Sequence, residues 1–159
     1  MFILTKTNAM RLLDVCKIPY KVETYEVTKV RDFGEQAGAQ LSMSEDEIFK
    51  TLVTKGDRNG INIFCIPINA HLDLKKAALV SKNKKLEMLP AKDVLNITGY
   101  MVGACTPIGM KKQFKTFINE TAILYEEIGI SAGVRGGEIV LNPEKLCEVV
   151  KGEFVDVIQ

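Results

Sequence analysis

Gly99-Tyr100-Met101-Val102-Gly103-Ala104-Cys105-Thr106-Pro107-Ile108-Gly109, followed by Met110, Lys111 and Lys112, is the stretch around which the chain is organised. Three glycines and a Thr-Pro step exclude a regular helix. Glycine costs backbone entropy there, and proline removes a donor and turns the preceding residue away from the α region. The expectation is a strand-and-loop wall whose bare backbone lets another molecule approach its N–H and C=O groups. Lys111 and Lys112 then place positive charge at the rim. A plainer reading stands beside it, with Gly99 and Gly109 as turn residues around a short buried strand.

Two further stretches bear on the choice. Phe49-Lys50-Thr51-Leu52 places a lysine between apolar residues at the start of a strand, and Ile130-Ser131-Ala132-Gly133-Val134-Arg135-Gly136 is a second glycine loop carrying a hydroxyl and a guanidinium. Around them the chain reads as short elements. The spacing of Ala9, Leu12, Leu13 and Cys16 predicts an amphipathic helix over Thr7 to Lys17, and Tyr20 to Tyr25 alternates as a strand. Asp32 with Glu35 is a capping-box pattern opening a helix to about Gly38, and Ser44 with Glu47 suggests one helical turn before the strand run Ile48 to Thr54. The turn Gly56 to Gly60 joins this run to Ile61–Pro67 as a hairpin. Asp73 caps a helix from Leu74 to Leu79, Leu86–Leu89 is a short strand, and Pro90 opens a helix that stops before Gly99.

Further along, Phe114–Asn119, Ala122–Tyr125, Glu127–Ser131 and Glu138–Leu141 read as strands. Asn142-Pro143 combines a cap with a proline at the first helical position; Gly152 closes that helix, and Phe154–Ile158 is a last strand. Many short strands with helices interspersed irregularly point to an α/β chain of the α+β type. The expected architecture is a mixed, curved sheet rather than a doubly wound parallel one. With 159 residues and neither a repeat, a low-complexity segment nor a linker, residues 1–159 read as one domain.

Composition narrows the function classes. A formal net charge of +1 argues against gripping long nucleic acid by bulk charge, so any contact of that kind is local. Cys16, Cys65, Cys105 and Cys147 are scattered with a single histidine, His71, so no metal site is expected. Cysteines in apolar periodic stretches, without a secretory leader, suggest a reducing cytoplasm. Met1 to Leu4 is too short for an export signal, and no run approaches the roughly 18 apolar residues of a membrane span.

The three quoted stretches, in type, order and spacing, resemble the YbaK/EbsC family of free-standing aminoacyl-tRNA deacylases, relatives of the editing domain inserted in some prolyl-tRNA synthetases. Its elements are Lys-Thr-Leu, Gly-Tyr-x-Val-Gly-x-x-(Ser/Thr)-Pro-(Ile/Leu)-Gly and Ser-(Gly/Ala)-Gly-x-Arg-Gly. The resemblance extends to Ala70-His71-Leu72-Asp73-Leu74-Lys75-Lys76 and to the opening helix. It implies a barrel-like curved sheet flanked by helices, and release of the wrong amino acid, most often cysteine, from tRNA(Pro). It also implies substrate-assisted chemistry, in which the cysteinyl thiol attacks its own ester and leaves as a thiolactone without cofactor or metal. The implied partners are the aminoacyl-tRNA 3′ end and prolyl-tRNA synthetase.

On this resemblance Lys50 is the catalytic candidate, its ammonium meeting a phosphate or the ester carbonyl; without it, Lys50 reads as a surface lysine snorkelling from a strand end. Thr51 can add a hydroxyl to the same wall or simply serve the strand. Tyr25 stands where the family has a tyrosine, for substrate positioning or for cross-strand packing. Gly99, Gly103, Thr106, Pro107 and Gly109 supply the backbone wall. Ser131, Gly133, Arg135 and Gly136 supply a loop suited to an anion or ester through backbone N–H groups. Glu138 stands where many members carry an aspartate.

Ser131 has no His or Asp partner at a recognisable spacing, and Cys105 lacks a paired His, so neither reads as a nucleophile. Two other readings stay open: release of alanine from tRNA(Pro) by hydrolysis, and a non-catalytic module holding a tRNA 3′ end or nucleotide for a synthetase. Lys75, Lys76, Lys111 and Lys112 would serve either role as a basic rim.

Overall fold

The structure is a computed structural model and describes residues 5–159; the apolar Met1–Leu4 lies outside the described residues. Helix α1 (Asn8–Val15) is held at its start by Thr7, whose hydroxyl accepts the Met10 amide and donates to the Ala132 carbonyl at 2.6 Å. One side chain thus caps the helix and fastens it to the second glycine loop. Strand β1 (Lys21–Thr24) follows, then helix α2 (Phe33–Gln40). The hairpin expected around Gly56–Gly60 is present: β2 (Phe49–Gly56) pairs antiparallel with β3 (Gly60–Pro67) from Phe49 opposite Pro67 to Gly56 opposite Gly60.

Asp73 caps α3 (Leu74–Val80) by accepting the Lys75 and Lys76 amides, and β4 (Leu86–Met88) and α4 (Ala91–Thr98) follow. After the central glycine segment come β5 (Lys115–Asn119), β6 (Ile128–Ser131), β7 (Gly137–Leu141), α5 (Pro143–Val149) and β8 (Glu153–Val155). Asn142 caps α5 through the Lys145 amide with Pro143 in the first turn, as its dipeptide predicts.

The strands divide between two sheets. One is antiparallel, in the order β1-β7-β6. The other is mixed, in the order β4-β2-β3-β5-β8, with β3, β5 and β8 parallel. A single parallel bridge, Ile48 to Gly129, links them, and no closed ring of strands forms among the described residues. The expected single curved sheet is therefore corrected to two sheets facing one core, while its mixed strands and flanking helices are as expected.

The main core lies between the sheets. Phe49, Val53, Ile63 and Cys65 meet Ile128, Ile130, Ile139 and Leu141, closed by Leu13 of α1 and Leu146 of α5. Alternate residues of β3, Phe64 and Ile66, point the other way into a second cluster under α3. Both faces of β3 are covered, which is why Ile61–Pro67 reads as a continuous apolar run. A third, small cluster of Ala37, Leu41 and Ile48 seats α2, with Tyr25, Met43 and Ile68 around it.

Four local expectations are corrected. The Gly99–Gly109 segment contains no strand and is a loop throughout. Ala122–Tyr125 is not a strand: Glu120–Leu124 is a 3-10 turn in which Ala122 is buried while Ile123 and Leu124 face outward. Asp32 adopts a left-handed conformation (φ 51°) and its carboxylate caps nothing; it faces Lys29 Nζ at 3.6 Å instead. After α5 the left-handed residue is Lys151 rather than Gly152. Gly152 is small for another reason, since a Cβ there would lie 3.2 Å from the Thr116 carbonyl oxygen.

Candidate functional site

Where β1, α2 and the start of β2 converge with the two glycine loops, they enclose a cavity of about 200 Å³. Its floor is Ile48–Thr51, with Ile68 beside it. Phe33, Gly34 and Ala37 of α2 make one wall, Gly103 and Cys105 another. Tyr25, Ser131 and Glu138 complete the lining. Six residues singled out from the sequence meet here: Tyr25, Lys50, Thr51, Gly103, Ser131 and Glu138.

Lys50 is half-buried and donates through Nζ to the Ile68 carbonyl at 3.3 Å. Desolvation lowers its pKa from the usual lysine value. Among the described residues it takes part in no ion pair, so its ammonium is compensated by a single carbonyl dipole. Thr51 stands next to it, 3.9 Å from Cys65 Sγ. Lys50 also borders a second groove with Leu52, His71, Met88 and Gln159, which is where the lone histidine sits, apart from the cavity lining.

Glu138 is 4% exposed. Burial first, and the charge of Glu23 second, push its carboxyl up to about 8. Tyr25 is tied in place by its amide, which donates to the Gly136 carbonyl at 2.9 Å, and its phenol is raised by burial and then by Glu138. Burial pushes the Cys105 thiol up to about 11, so at neutral pH it is not a thiolate. Ser131 donates to the Ala104 carbonyl at 2.8 Å and accepts the Gly133 amide at 3.2 Å, which binds the two glycine loops together. Its hydroxyl is committed to structure.

The other sequence candidates lie behind this lining. Arg135 does not reach the cavity; its Nε donates to the Val102 carbonyl at 2.9 Å and its guanidinium stacks 4.9 Å over the Phe33 ring. Gly136 and Gly133 are spacers, since a Cβ would lie 2.9 Å from the Tyr25 carbonyl oxygen and 2.7 Å from the Tyr100 ring respectively. Thr106 and Pro107 are buried within the loop, and Gly109 sits against the Tyr100 hydroxyl, which donates to the Ile108 carbonyl at 2.6 Å. Gly99 ends α4, and the neighbouring Lys111 reaches back to the Asn96 carbonyl of that helix. Lys76 pairs with Asp156 away from the lining.

Sequence reasoning missed the α2 wall. Its only signal was the set of small residues Gly34, Ala37 and Gly38 on one turn-to-turn face, which lets the helix pack closely on Ile68 beside the cavity. Phe33 carried no signal, because its role depends on Gly103, 70 positions away in sequence and adjacent only after folding. Among the described residues no group of three or more His, Cys, Asp and Glu is placed to hold a metal ion, and no helix is long and apolar enough to cross a membrane.

Comparison with known proteins places these features among relatives. Residues 28–149 match the model of the aminoacyl-tRNA editing domain. The chain is 45% identical over 152 residues to the Enterococcus faecalis protein named "Putative Cys-tRNA(Pro)/Cys-tRNA(Cys) deacylase EbsC", covering 96% of this chain and 93% of that protein. It is 25% identical over 114 residues to the Bacillus subtilis "Uncharacterized protein YwhH", covering 72% of each. Among solved structures, one described as a "putative trans-editing enzyme for prolyl tRNA synthetase" superposes with a TM-score of 0.82 at 19% identity. That match covers 98% of this chain and 99% of the other and shows a shared fold.

Proposed function

The chain belongs to the aminoacyl-tRNA editing domain family, and from that premise we propose that it is a trans-editing aminoacyl-tRNA deacylase clearing cysteine from Cys-tRNA(Pro). The single observation that carries the reading is the cavity of about 200 Å³ holding one unpaired lysine and no activated nucleophile. Ser131 is occupied by Ala104, Cys105 keeps its proton, and His71 lies elsewhere.

A site so equipped suits a substrate that brings its own nucleophile. In this reading the cysteinyl sulfur forms a bond to the ester carbonyl carbon and the bond from that carbon to the ribose oxygen breaks. A thiolactone leaves, and the thiol proton ends on the ribose hydroxyl. The protein folds the cysteinyl group into attacking distance, and Lys50 steadies the charge that develops on the carbonyl oxygen. Thr51, Tyr25 and the Gly103 backbone shape the space around it. The small volume suits cysteine or alanine, which a proline-sized synthetase pocket rejects poorly.

The full set of sequence candidates divides in this proposal into groups that face the substrate and groups behind them that hold their shape. The chain acts as one domain on the 3′ end of tRNA(Pro) in the cytoplasm, alongside prolyl-tRNA synthetase. Single-turnover release from Cys-tRNA(Pro) and Ala-tRNA(Pro), with mass analysis of the released product, tests it. Faster cysteine release as thiolactone is expected. An alanine preference moves the chain to ordinary hydrolysis, and retention of both charged tRNAs makes it a binding module.

A further inference from the structure

The carboxyl of Glu138 is the least compensated group in the cavity. It is 4% exposed, and among the described residues it accepts no side-chain hydrogen bond and forms no ion pair. A buried carboxylate without a donor is unfavourable, so such a group is either held neutral or supplied with a cation. In the empty site it is held neutral, and its surroundings would welcome a cation brought by a ligand. Glu23 lies directly opposite in the β1–β7 register and adds negative potential, its own carboxylate being occupied by the Ser42 amide and hydroxyl. On the other side Glu138 Oε2 leans over Gly129, where a Cβ would stand 3.2 Å away.

Lys50 borders the same cavity but turns its ammonium to the Ile68 carbonyl rather than to Glu138. The cavity therefore offers an ammonium and, apart from it, a carboxyl that no protein cation pairs with. An anionic ligand group would meet Lys50 comfortably but would give Glu138 no cation to offset its ionisation in a buried setting. A ligand with an electron-rich carbonyl and a cation on the adjacent carbon satisfies both. An aminoacyl ester has those two groups.

We propose that Glu138 determines specificity by receiving the free α-ammonium group of the aminoacyl ester, so that the site takes aminoacyl esters and discriminates against acyl esters lacking that cation. This rests on the deacylase reading above and adds to it the feature of the substrate that is read. Burial and Glu23 hold the empty-site carboxyl up at about 8, so at neutral pH it keeps its proton until the ammonium arrives and displaces it to solvent. Of the other titratable groups lining the cavity, Tyr25 and Cys105 are raised and stay neutral, and Lys50 is lowered by burial.

The test compares two esters on tRNA(Pro): cysteinyl, and 3-mercaptopropionyl, in which hydrogen replaces the ammonium and no bulk is added. For the wild-type protein the KM of the 3-mercaptopropionyl ester should be at least tenfold the higher. In Glu138→Gln the cysteinyl KM should rise to within threefold of the other, whose own KM changes little. Wild-type KM values within threefold of each other overturn the inference, and that comparison does not depend on any variant folding. Discrimination that persists in a folded Glu138→Gln overturns it as well. If wild type cleaves neither ester, the deacylase reading fails and the inference with it, whereas equal cleavage of both sinks the inference alone.

Discussion

Phe33 fills the place where Gly103 would carry a side chain: a Cβ built on Gly103 would lie 2.3 Å from the Phe33 ring. Gly103 also holds φ at 86°, a conformation that L side chains rarely adopt. Gly103→Ala should therefore push Phe33 and the start of α2 off the cavity, reducing deacylation at least tenfold. Strain at one loop position should lower Tm by only a few degrees. Kinetics paired with a melting curve check this, and unchanged kinetics would show that the Phe33 wall is not needed.

Lys50→Ala should lower the single-turnover deacylation rate by roughly 10²-fold, about 2.7 kcal/mol of barrier. The fold should persist, because the lysine is half-buried at a strand start and its removal opens no large core void. Lys50→Arg should also be poor, since a planar fork does not replace a compact ammonium beside the Ile68 carbonyl. A folded Lys50→Ala working within about threefold of wild type would remove Lys50 from the site.

Cys105→Ser should retain activity to within about tenfold, and chelators should have no effect. Cys105 lines the cavity but its thiol is held up at about 11 by burial, so it is not poised to attack. Alkylation should accordingly be slow at neutral pH. Rapid, inactivating alkylation at pH 7 would assign the thiol a chemical role.

Glu138→Gln should become the more stable protein as pH rises. The folded-state pKa of Glu138 is raised from 4.5 to about 8, so the folded protein holds this proton more tightly than the unfolded chain does. That contribution is complete below about pH 4.5 and is lost towards pH 8, with a limiting slope of about 1.4 kcal/mol per pH unit. The Tm of the variant minus that of wild type should therefore grow between pH 5 and pH 8.5. A flat difference would mean that the carboxyl finds a donor in the empty site.

Elements that rest on local chemistry were legible in the chain. Asp73, Asn142-Pro143 and the Gly56–Gly60 turn each name their own structure, because the interacting groups lie within a few residues. Elements decided by distant partners were not. Asp32 fits a capping box, but Gln36 takes the Lys29 and Arg31 carbonyls and draws the preceding strap into a different path. The apolar run at Ala122 is folded by burial of one residue rather than by strand pairing.

The candidate site divides in the same way. Lys50, Thr51 and Glu138 lie on strands, but Lys50 and Thr51 are consecutive and alternation alone would part them. Their meeting at one cavity therefore followed from the family resemblance rather than from pattern. The glycine loops were identified, but not which of their residues face inward, since loop direction has no sequence period. Gly103 and Ser131 are the loop candidates that reach the cavity; Thr106 and Pro107 are buried within their own loop, and Gly133 packs against the Tyr100 ring.

Among the described residues the bridge from Ile48 to Gly129 is the one place where the two sheets pair, and the cavity lies beside it. Its lining is gathered from Tyr25 to Glu138, so no short segment of the chain can assemble it. Pairings of such high sequence separation are slow to form, because loop closure opposes them until many contacts act together. During refolding, the hairpin at Gly56–Gly60 should gain strand structure early, while ligand recognition returns only when the two sheets dock. Binding is then a readout of the last long-range step of folding, and a chain that has regained most of its secondary structure can still be blind to its substrate.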